Sequence, residues 1–381
     1  MKTNVWVIFG SRSTEHDVSI VTAFGVMKVL QSMPNIQVYP IYITKQGQRL
    51  YSDKFTDIKQ FPYKDDGSEI FITKSENNKL TLQSKSSRFL SKNTSITLDC
   101  VFPLVHGLNG EDGTIQWLCE VYNIPYVGPN ILSASWTIDK IMTKYLLSSI
   151  EVPVVAASNF SQQEDIANII QTVETKHQFP VFVKPYNAGS SIGVSRVTKT
   201  EELQHAIEVA FYYSPHIIIE NGVQPLIELN CAVSRFPEWV KTTLVEQPVA
   251  HSDYLSFEEK YISTDGGTMQ WLEHKVKIPA DVDQSIQTKI QQYAKDIYTK
   301  LHLTGAPRID FLYNPNTQEL FVCEVNAVPG NMQMHLWEKS GMTTTQFIKN
   351  LIDQAFVSHQ KRQTTTEFSN TILQHTISFA K

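Results

Sequence analysis

Residues 308–330 read Arg308-Ile-Asp-Phe-Leu-Tyr-Asn-Pro-Asn-Thr-Gln-Glu-Leu-Phe-Val-Cys-Glu-Val-Asn-Ala-Val-Pro-Gly330 and predict a β-hairpin. Two short apolar runs flank Asn314-Pro315-Asn316, and turn-forming residues between apolar runs are typical of a connection between paired strands. If the turn is centred near Thr317, Asp310 and Glu324 lie opposite each other across the pair. The hairpin would then hold two carboxylates on one surface.

One face of this hairpin predicts a metal site. Asn326 shares the face of Glu324, and Arg308 shares that of Asp310, because side chains two residues apart on a strand point the same way. Two carboxylates and an amide oxygen are hard ligands that suit Mg²⁺ and leave positions for water and phosphate oxygens. Arg308 is placed to meet an anion beside the metal. Taken alone, the pattern also fits a hairpin with a solvated acidic face.

The bulk composition is that of an enzyme-sized globular protein. A chain of 381 residues exceeds one ordinary core and predicts two or three domains. Its net charge of −5 offers no basic field for nucleic acid or an anionic membrane. The first apolar run is too short for a signal peptide, no later run would span a bilayer, and the four cysteines form no CxxC pair. We therefore expect a cytoplasmic protein with neither nucleic acid nor membrane as a partner.

The N-terminal segment predicts a strand, a polar turn and a helix. Residues 5–10 form a continuous apolar run, as expected of a buried parallel strand, and residues 11–19 lead into apolar positions at helical spacing. Such a unit presents ligand groups at the carboxyl end of the strand, where Glu15 would face whatever lies over the sheet. Capping of the helix by Ser13 or Thr14 is the plainer explanation of the same residues.

A second buried strand, residues 100–105, leads into a glycine-rich loop. The loop begins with His106 and contains three glycines before a helix that starts near Ile115. A histidine at a strand end is more often structural than catalytic, but glycines allow a ligand to approach the backbone. The loop therefore favours a functional role. A further strand is predicted at residues 124–128.

A third strand, residues 179–185, ends with Lys184 and precedes a Gly-Ser loop at residues 187–194. The backbone N–H groups and hydroxyls of such a loop suit phosphate groups. The loop does not fit the Walker pattern, because no Gly-Lys-Ser/Thr precedes a helix. A simple Gly-Ser turn remains the alternative.

Two glutamates and one loop complete the candidate site. Glu220 ends a predicted strand and is placed to meet a nucleotide base, while Glu228 is placed to reach ribose hydroxyls. Exposed edge positions would explain both glutamates equally well. Residues 257–263 precede two glycines and suit a mobile cover over an active site.

Seven segments, taken in order, resemble the D-alanine–D-alanine ligases of the ATP-grasp superfamily. The resemblance covers roughly residues 5–356, and the ordered set is far more specific than any single segment. The segments are Phe9-Gly10 with Ser13-Thr14-Glu15-His16-Asp17-Val18-Ser19, His106-Gly107 with Gly110-Glu111-Asp112-Gly113-Thr114, Asp139-Lys140 with Thr143-Lys144, Val183-Lys184-Pro185 with Gly189-Ser190-Ser191-Ile192-Gly193-Val194, Glu259-Lys260-Tyr261, Arg308-Ile309-Asp310-Phe311, and Glu324-Val325-Asn326 with Pro329-Gly330.

The resemblance implies an α/β fold of the ATP-grasp type with three domains. Residues 1–139 would form an N-terminal, Rossmann-like parallel-sheet domain (the preATP-grasp domain) that binds substrate. Residues 140–225 would form the central ATP-grasp domain, and residues 226–357 the C-terminal ATP-grasp domain with the metal site. Residues 358–381 would be a tail. ATP would be gripped between the last two domains, and the resemblance also implies a homodimer.

The resemblance further implies a reaction for peptidoglycan precursor synthesis. ATP would phosphorylate the carboxylate of one D-alanine, and the amine of a second would attack the acyl phosphate to give D-alanyl-D-alanine. Two Mg²⁺ ions, with Mn²⁺ as an alternative, would bind Asp310, Glu324 and Asn326. The implied catalytic residues are Glu15, His106, Ser190, Tyr261, Arg308 and Gly330, with Ser190 and Tyr261 hydrogen-bonded to Glu15. The implied nucleotide-binding residues are Lys140, Lys184, Ser191, Glu220, Glu228 and Lys260.

Two departures from the family pattern concern the substrates. Glu220 lacks the lysine that usually follows it in the adenine segment, because Asn221 stands there. The family usually runs Met-Thr-x-x-Ser-Leu after Pro-Gly, and its serine helps to bind the acceptor carboxylate; here His335 stands at that position. The family's D-lactate-using relatives have a different loop in place of the segment that carries Tyr261. The resemblance therefore implies an amine acceptor, and hence a dipeptide over a depsipeptide.

Three other functions remain open from the sequence. The same mechanism with another acceptor, such as D-serine, is suggested by His335. A catalytically silent nucleotide-binding relative is disfavoured by the intact set of charged residues. A binding protein of the periplasmic type is disfavoured, because the sequence shows no export signal and because this function leaves the metal hairpin unexplained.

Overall fold

The computed structural model describes residues 2–61, 67–74, 80–84, 96–249 and 276–362. Within them, no helix has the length and apolar character needed to cross a bilayer.

The N-terminal part is built on a seven-stranded sheet with the order β6-β5-β4-β3-β2-β1-β7. Strand β1 is a continuous apolar run and pairs in parallel with β2 and β7, whereas β2 to β6 are joined by antiparallel pairs. The strands are β1 Thr3–Gly10, β2 Ile36–Ile43, β3 Arg49–Tyr51, β4 Ser68–Lys74, β5 Leu80–Ser84, β6 Ile96–Thr97 and β7 Cys100–Pro103. The helices of this part are α1 His16–Gln31, α2 Thr114–Val121 and α3 Ile131–Ile138.

The prediction of a strand at residues 124–128 is wrong. Only an isolated parallel bridge between Tyr126 and Val101 forms there. Pro125 has no N–H to donate, and Gly128 turns the chain away with a φ of 109°. Both features limit pairing to one residue.

The central part is a four-stranded antiparallel sheet with the order β10-β9-β11-β8. Alternate apolar residues of β9 and β11 are buried against helices α5 and α6, as the period of two along a strand requires. The elements are α4 Lys140–Ser149, β8 Ala157–Ser161, α5 Ile166–Lys176, β9 Val181–Pro185, β10 Ser195–Val197, α6 Leu203–Tyr213 and β11 His216–Asn221.

The C-terminal part contains a second four-stranded sheet with the order β13-β12-β16-β17, and a two-stranded pair β14-β15. Helix α7 packs its apolar stripe against this sheet, as the helical spacing predicts. The elements are β12 Ile227–Arg235, β13 Val240–Thr242, β14 Gln247–Pro248, β15 Val276–Lys277, α7 Gln284–Lys300, β16 Arg308–Asn314, β17 Glu319–Asn326, α8 Met334–Lys339 and α9 Thr344–Arg362.

Strands β16 and β17 form the predicted hairpin, with Asp310 opposite Glu324. Phe311 pairs with Val322, so Cys323 is an extra residue in a β-bulge. Val322 before the bulge and Val325 after it are both buried in the core. The bulge therefore keeps the apolar residues inside while Glu324 and Asn326 stay on the opposite face.

The last two helices pack against the N-terminal sheet. Trp337 of α8 and Leu351 of α9 are buried in one apolar cluster with Val7 of β1 and Met27 of α1. The proposed division at residues 139, 225 and 357 remains a prediction, although the chain after Gly330 packs on the first part. Of the predicted tail, residues 358–362 continue α9 and the rest lies outside the described residues.

Candidate active site

Four segments meet in one cleft: the turn after β1, the loop after β7, the Gly-Ser loop after β9, and the hairpin with the chain that follows it. Two backbone contacts tie the end of this arrangement to the first part. The Val328 N–H donates to the Glu111 carboxylate at 2.8 Å, and the Asn331 N–H donates to the Thr22 hydroxyl at 3.0 Å. The polar side chains of the cleft are thus held by all three parts of the chain.

Glu15 is the carboxylate at the turn after β1, and it is only 7% exposed. The Ser190 hydroxyl donates a hydrogen bond to it, although the two residues are 175 positions apart. Gly107 and Gly189 allow this approach, because a Cβ atom on either would lie 2.7 or 2.5 Å from a Glu15 carboxylate oxygen. The structure therefore brings together Glu15 and Ser190 as the resemblance implies.

His106 is buried in the loop that follows β7. Its Nε2 lies 2.9 Å from the Thr22 hydroxyl, and its backbone carbonyl accepts a hydrogen bond from Ser13 at 2.7 Å. Burial lowers the pKa of His106 to about 4; a hydrogen bond with the Val328 backbone opposes this shift and the charge of Arg308 adds to it. The ring is therefore neutral near neutral pH.

Glu111 is a site residue whose role the sequence reasoning missed. Its carboxylate accepts the N–H groups of Gly107 and Val328, each at 2.8 Å, and so bridges the glycine-rich loop to the chain after β17. Burial and the charge of Glu15 raise the pKa of Glu111, although both hydrogen bonds favour the ionised form. Glu111 lies in a glycine-rich loop and in a segment that carries the resemblance, but neither signal indicates a partner 217 positions away.

The hairpin face carries Arg308, Asp310, Glu324 and Asn326 together. Arg308 binds Asp310 through Nε at 2.5 Å and Nη2 at 2.6 Å, and Asn326 donates to the same carboxylate at 3.0 Å. Burial disfavours the charged guanidinium, but Asp310 first, and then Glu324 and Glu246, raise the pKa of Arg308 above its ordinary value. The anion that Arg308 meets in this structure is therefore Asp310 itself.

The hairpin ligands fit a divalent cation that is completed by other oxygen atoms. Within the part of the chain that the structure describes, no three His, Cys, Asp or Glu side chains converge as a metal site. Asp310 and Glu324 supply two carboxylates and Asn326 an amide oxygen, so phosphate oxygens and water must fill the remaining positions. Binding would require Arg308 to share or release Asp310.

Two lysines approach this face from the central part. Lys140 opens helix α4; its Nζ donates to the Ala188 carbonyl at 2.6 Å and lies 3.8 Å from a Glu324 oxygen. Lys184 lies beside Cys323, with Nζ 3.9 Å from Sγ. Two lysine side chains beside the hairpin face that carries the candidate metal ligands suit the phosphates of a nucleotide.

Glu220 is buried between two lysines. Its carboxylate lies 2.6 Å from Lys184 Nζ and 3.1 Å from Lys144 Nζ, and its side chain is 2% exposed. Burial raises the pKa of Glu220, but Lys144 and Lys184 outweigh burial and lower it to about 2. Lys144 belongs to a segment that carries the resemblance, yet its pairing was not predicted.

The remaining predicted residues have the following places. Glu228 lies on β12 opposite Leu312, Ser191 follows Ser190 with a left-handed φ of 59°, and Gly330 opens a tight turn before α8. Lys260 and Tyr261 lie outside the described residues. The roles assigned to all the candidate site residues remain predictions.

Both halves of the chain match protein-family models. The model described as D-ala D-ala ligase N-terminus matches residues 4–129, and the one described as D-ala D-ala ligase C-terminus matches residues 146–353. The D-alanine–D-alanine ligase of Staphylococcus carnosus is 35% identical over 370 residues, which cover 95% of this chain and 98% of that protein. The enzyme of the same name from Lactococcus lactis is 33% identical over 369 residues, with coverage of 95% and 98%.

Solved structures of two kinds of ligase share the fold. The D-alanine–D-alanine ligase of Coxiella burnetii superposes with a TM-score of 0.80 at 26% identity, covering 100% of this chain and 99% of that one. The VanG D-Ala:D-Ser ligase of Enterococcus faecalis superposes with a TM-score of 0.76 at 27% identity, covering 93% and 100%. The two structural similarities are nearly equal, so they do not distinguish an alanine acceptor from a serine acceptor.

The buried Glu220 cluster predicts a pH-dependent stability. Glu220→Gln should lower the thermal unfolding midpoint near neutral pH, because removing one member of a buried ion cluster costs about 3–5 kcal/mol. The pKa of Glu220 falls from its ordinary 4.5 to about 2, so its stabilisation is complete above pH 4.5 and is lost as the pH falls from there toward 2.

The difference in midpoint between wild type and Glu220→Gln should therefore shrink over that pH window. Glu201→Gln is the matched control, because Glu201 is an exposed carboxylate of the central part. A difference that stays constant from neutral pH into the acid range would contradict the account.

Proposed function

The chain belongs to the D-alanine–D-alanine ligase family, and from this membership and the cleft geometry we propose that it joins two D-alanine molecules into D-alanyl-D-alanine at the expense of ATP. The product would serve as a peptidoglycan precursor. ATP and a divalent cation are required by this family of ligases. We propose Mg²⁺ as the cation, with two ions per site and Mn²⁺ as an alternative.

One observation carries the proposal: the Gly-Ser loop contacts both a lysine suited to bind phosphate and the carboxylate that would bind the amino-acid substrate. Lys140 binds the carbonyl of Ala188 at 2.6 Å and lies 3.8 Å from Glu324 of the hairpin. The next residue, Gly189, packs directly against Glu15. A nucleotide phosphate near Lys140 and an amino acid bound by Glu15 would therefore be neighbours.

The first step transfers the γ-phosphoryl group of ATP to a carboxylate oxygen of the first D-alanine. Lys140 and Lys184 would attract the phosphates and offset their charge, which is the main contribution that a protein makes to phosphoryl transfer. Asp310, Glu324 and Asn326 would hold the divalent cations, which supply further neutralisation of phosphate charge when bound. Glu15 would bind the ammonium group of this D-alanine and keep its carboxylate directed toward the phosphate.

The second step is attack by the amine of the second D-alanine on the acyl carbon. The nitrogen forms the new bond, the carbon–oxygen bond to phosphate breaks, and phosphate leaves. Arg308 and the backbone N–H of Gly330 would stabilise the oxyanion of the tetrahedral intermediate; removing one such donor typically costs a few kcal/mol. A closed site would protect the acyl phosphate from water.

The other predicted residues would position the two substrates. Ser190 and Tyr261 would join Glu15 to close the lid, and His106 would lie near the carboxylate of the first D-alanine. Glu228, Lys260 and Ser191 would contact the nucleotide. For Glu220 the burial between Lys144 and Lys184 supports an additional contribution, because it keeps Lys184 in place for phosphate.

Two further parts of the proposal concern the cell and the assembly. A cytoplasmic location is supported by the need for ATP. A homodimer is supported only by family resemblance. The proposed partners are the small-molecule substrates ATP and D-alanine.

Glu324→Ala should abolish turnover while leaving the fold intact. Loss of one cation ligand should reduce phosphate release in ATP, Mg²⁺ and D-alanine at least about 100-fold. Glu319→Ala is the matched control, because Glu319 is an exposed carboxylate at the other end of the same strand. Equal thermal midpoints would establish folding, and near wild-type rates in Glu324→Ala would refute the metal assignment.

The acceptor prediction is tested by competition. With D-alanine, D-serine and D-lactate supplied together at neutral pH, we expect the dipeptide of D-alanine as the main product, measured by mass spectrometry. D-Alanyl-D-serine in excess would favour the D-serine alternative, which the likeness to the VanG ligase supports equally well. D-Alanyl-D-lactate in excess would contradict the prediction of an amine acceptor.

A further inference from the structure

The proposed reaction needs a group that removes a proton from the acceptor. The second amino acid arrives mainly as an ammonium ion at neutral pH, and its nitrogen can attack only after a proton has left. Proton transfer by a positioned side chain is commonly worth two or more orders of magnitude in rate. The inference below identifies this group and therefore rests on the proposed function.

Most groups already described are poorly suited to accept that proton: Glu220 is held between two lysines, and Glu324 is assigned to the cations. Arg308 and the lysines are cations, and Arg308 occupies both oxygens of Asp310. Both oxygens of Glu111 accept backbone N–H groups. His106 is 3% exposed, and its Nε2 is engaged with Thr22. Glu15 binds Ser190 and is assigned to the first ammonium group.

A second histidine, which is paired with a carboxylate, lies at the edge of the same cleft. His335 Nε2 lies 2.5 Å from an oxygen of Glu246. The Glu246 side chain is 7% exposed, whereas that of His335 is 46% exposed. A carboxylate that accepts the Nε2–H of an imidazole fixes the tautomer with a lone pair on Nδ1. The pair therefore has the arrangement of an oriented proton acceptor.

Glu246 connects this histidine to the reaction centre. Its other oxygen accepts a hydrogen bond from the Asn230 amide at 3.3 Å, and its backbone pairs with Asn230, which lies opposite Asp310 in the sheet. Burial raises the pKa of Glu246, but the hydrogen bond with His335, the charge of Arg308 and the hydrogen bond from Asn230 outweigh burial and lower it. An ionised Glu246 thus interacts with both His335 and the guanidinium that is proposed to stabilise the oxyanion.

The backbone around His335 is fixed. His335 lies five residues after Gly330, at the second position of α8. The intervening turn is anchored by the Asn331 N–H on Thr22, and Met332, Met334 and Leu336 are buried. The ring is held by Glu246 and its side chain is 46% exposed, which gives an accepted proton an exit to water.

We propose that His335, oriented by Glu246, is the catalytic base that takes a proton from the ammonium group of the acceptor amino acid. The proton moves from the acceptor nitrogen to His335 Nδ1, and the freed electron pair forms the bond to the acyl carbon. The tetrahedral intermediate then collapses: the carbon–oxygen bond to phosphate breaks, and phosphate leaves with the two electrons of that bond. A second proton leaves the nitrogen to give the neutral amide, and His335 returns its proton to water.

Binding of the acceptor carboxylate is the competing role for His335. The local charges disfavour it, because Glu246 already places an anion against the ring and Glu324 and Asp310 lie on the adjoining hairpin face. Glu246 has the role of a positioning residue, since it acts through His335. The two roles differ in which kinetic parameter changes on substitution, and the experiment below separates them.

The test compares two acceptors for the same acyl phosphate. Hydroxylamine is largely uncharged at neutral pH and needs no base, whereas D-alanine does. With D-alanine, ATP and Mg²⁺ supplied to the full chain, His335→Gln should lower kcat for dipeptide formation on the order of 100-fold. Formation of D-alanyl hydroxamate should stay within about twofold of wild type, the change expected for a residue that only the charged acceptor needs.

Variants of Glu246 and of a distant histidine serve as controls for His335→Gln. Glu246→Gln should show a smaller loss with the same acceptor dependence, and the double variant should lose no more than His335→Gln, because residues that act as a unit are not additive. His205→Gln, an exposed histidine of α6, is the matched control and should equal wild type.

An equal loss with both acceptors would overturn the base assignment in favour of a structural role. A raised KM for the acceptor D-alanine with unchanged kcat would overturn it in favour of carboxylate binding. Absence of both dipeptide and hydroxamate in the wild-type protein would instead overturn the proposed function itself, and the inference with it.

Discussion

Carboxylates that are buried or half-buried in the cleft must each be paired, and the arrangement of the active site follows from this constraint. An unpaired buried charge is strongly destabilising, so each partner fixes the position of the segment that supplies it. In nearly every case the partner comes from a distant part of the chain. The pairs are Glu15 with Ser190, Glu111 with the N–H groups of Gly107 and Val328, Glu220 with Lys144 and Lys184, Glu246 with His335, and Asp310 with Arg308.

These pairs hold the three parts of the chain at one cleft and also prepare it for charged substrates. Lys140 and Lys184 stand beside the hairpin and are each held near a carboxylate, so their charges are already positioned when phosphates arrive. The bulge at Cys323 is the local device that makes this possible, because it turns Glu324 out of the core while Val325 remains buried. Substrate binding then exchanges partners within the cleft and leaves the core unchanged.

Local patterns in the sequence predicted the elements well, and distant pairings poorly. The hairpin register and the pairing of Asp310 with Glu324 followed from turn chemistry and strand periodicity, although the bulge that produces this register was not foreseen. The strand expected at residues 124–128 failed because Pro125 removes a backbone donor. The contact of Glu15 with Ser190 was available only through the family resemblance.

Two pairings lay beyond any local pattern. Nothing near Glu111 indicates Val328, and nothing near Glu246 indicates His335, because both contacts depend on how whole elements pack. The same is true of α9, whose apolar residues pack against α1 and the N-terminal sheet although both lie far away in the sequence. Periodicity identifies which face is buried, while the partner is decided by tertiary structure.

The central claim is that a carboxylate of D-alanine is phosphorylated in this cleft before the peptide bond forms. The most direct measurement uses D-alanine labelled with ¹⁸O in its carboxylate, together with ATP and Mg²⁺, and follows the label by mass spectrometry. With both carboxylate oxygens labelled, the account predicts one ¹⁸O atom in each phosphate released and the rest of the label in D-alanyl-D-alanine. Dipeptide formation with unlabelled phosphate would contradict it.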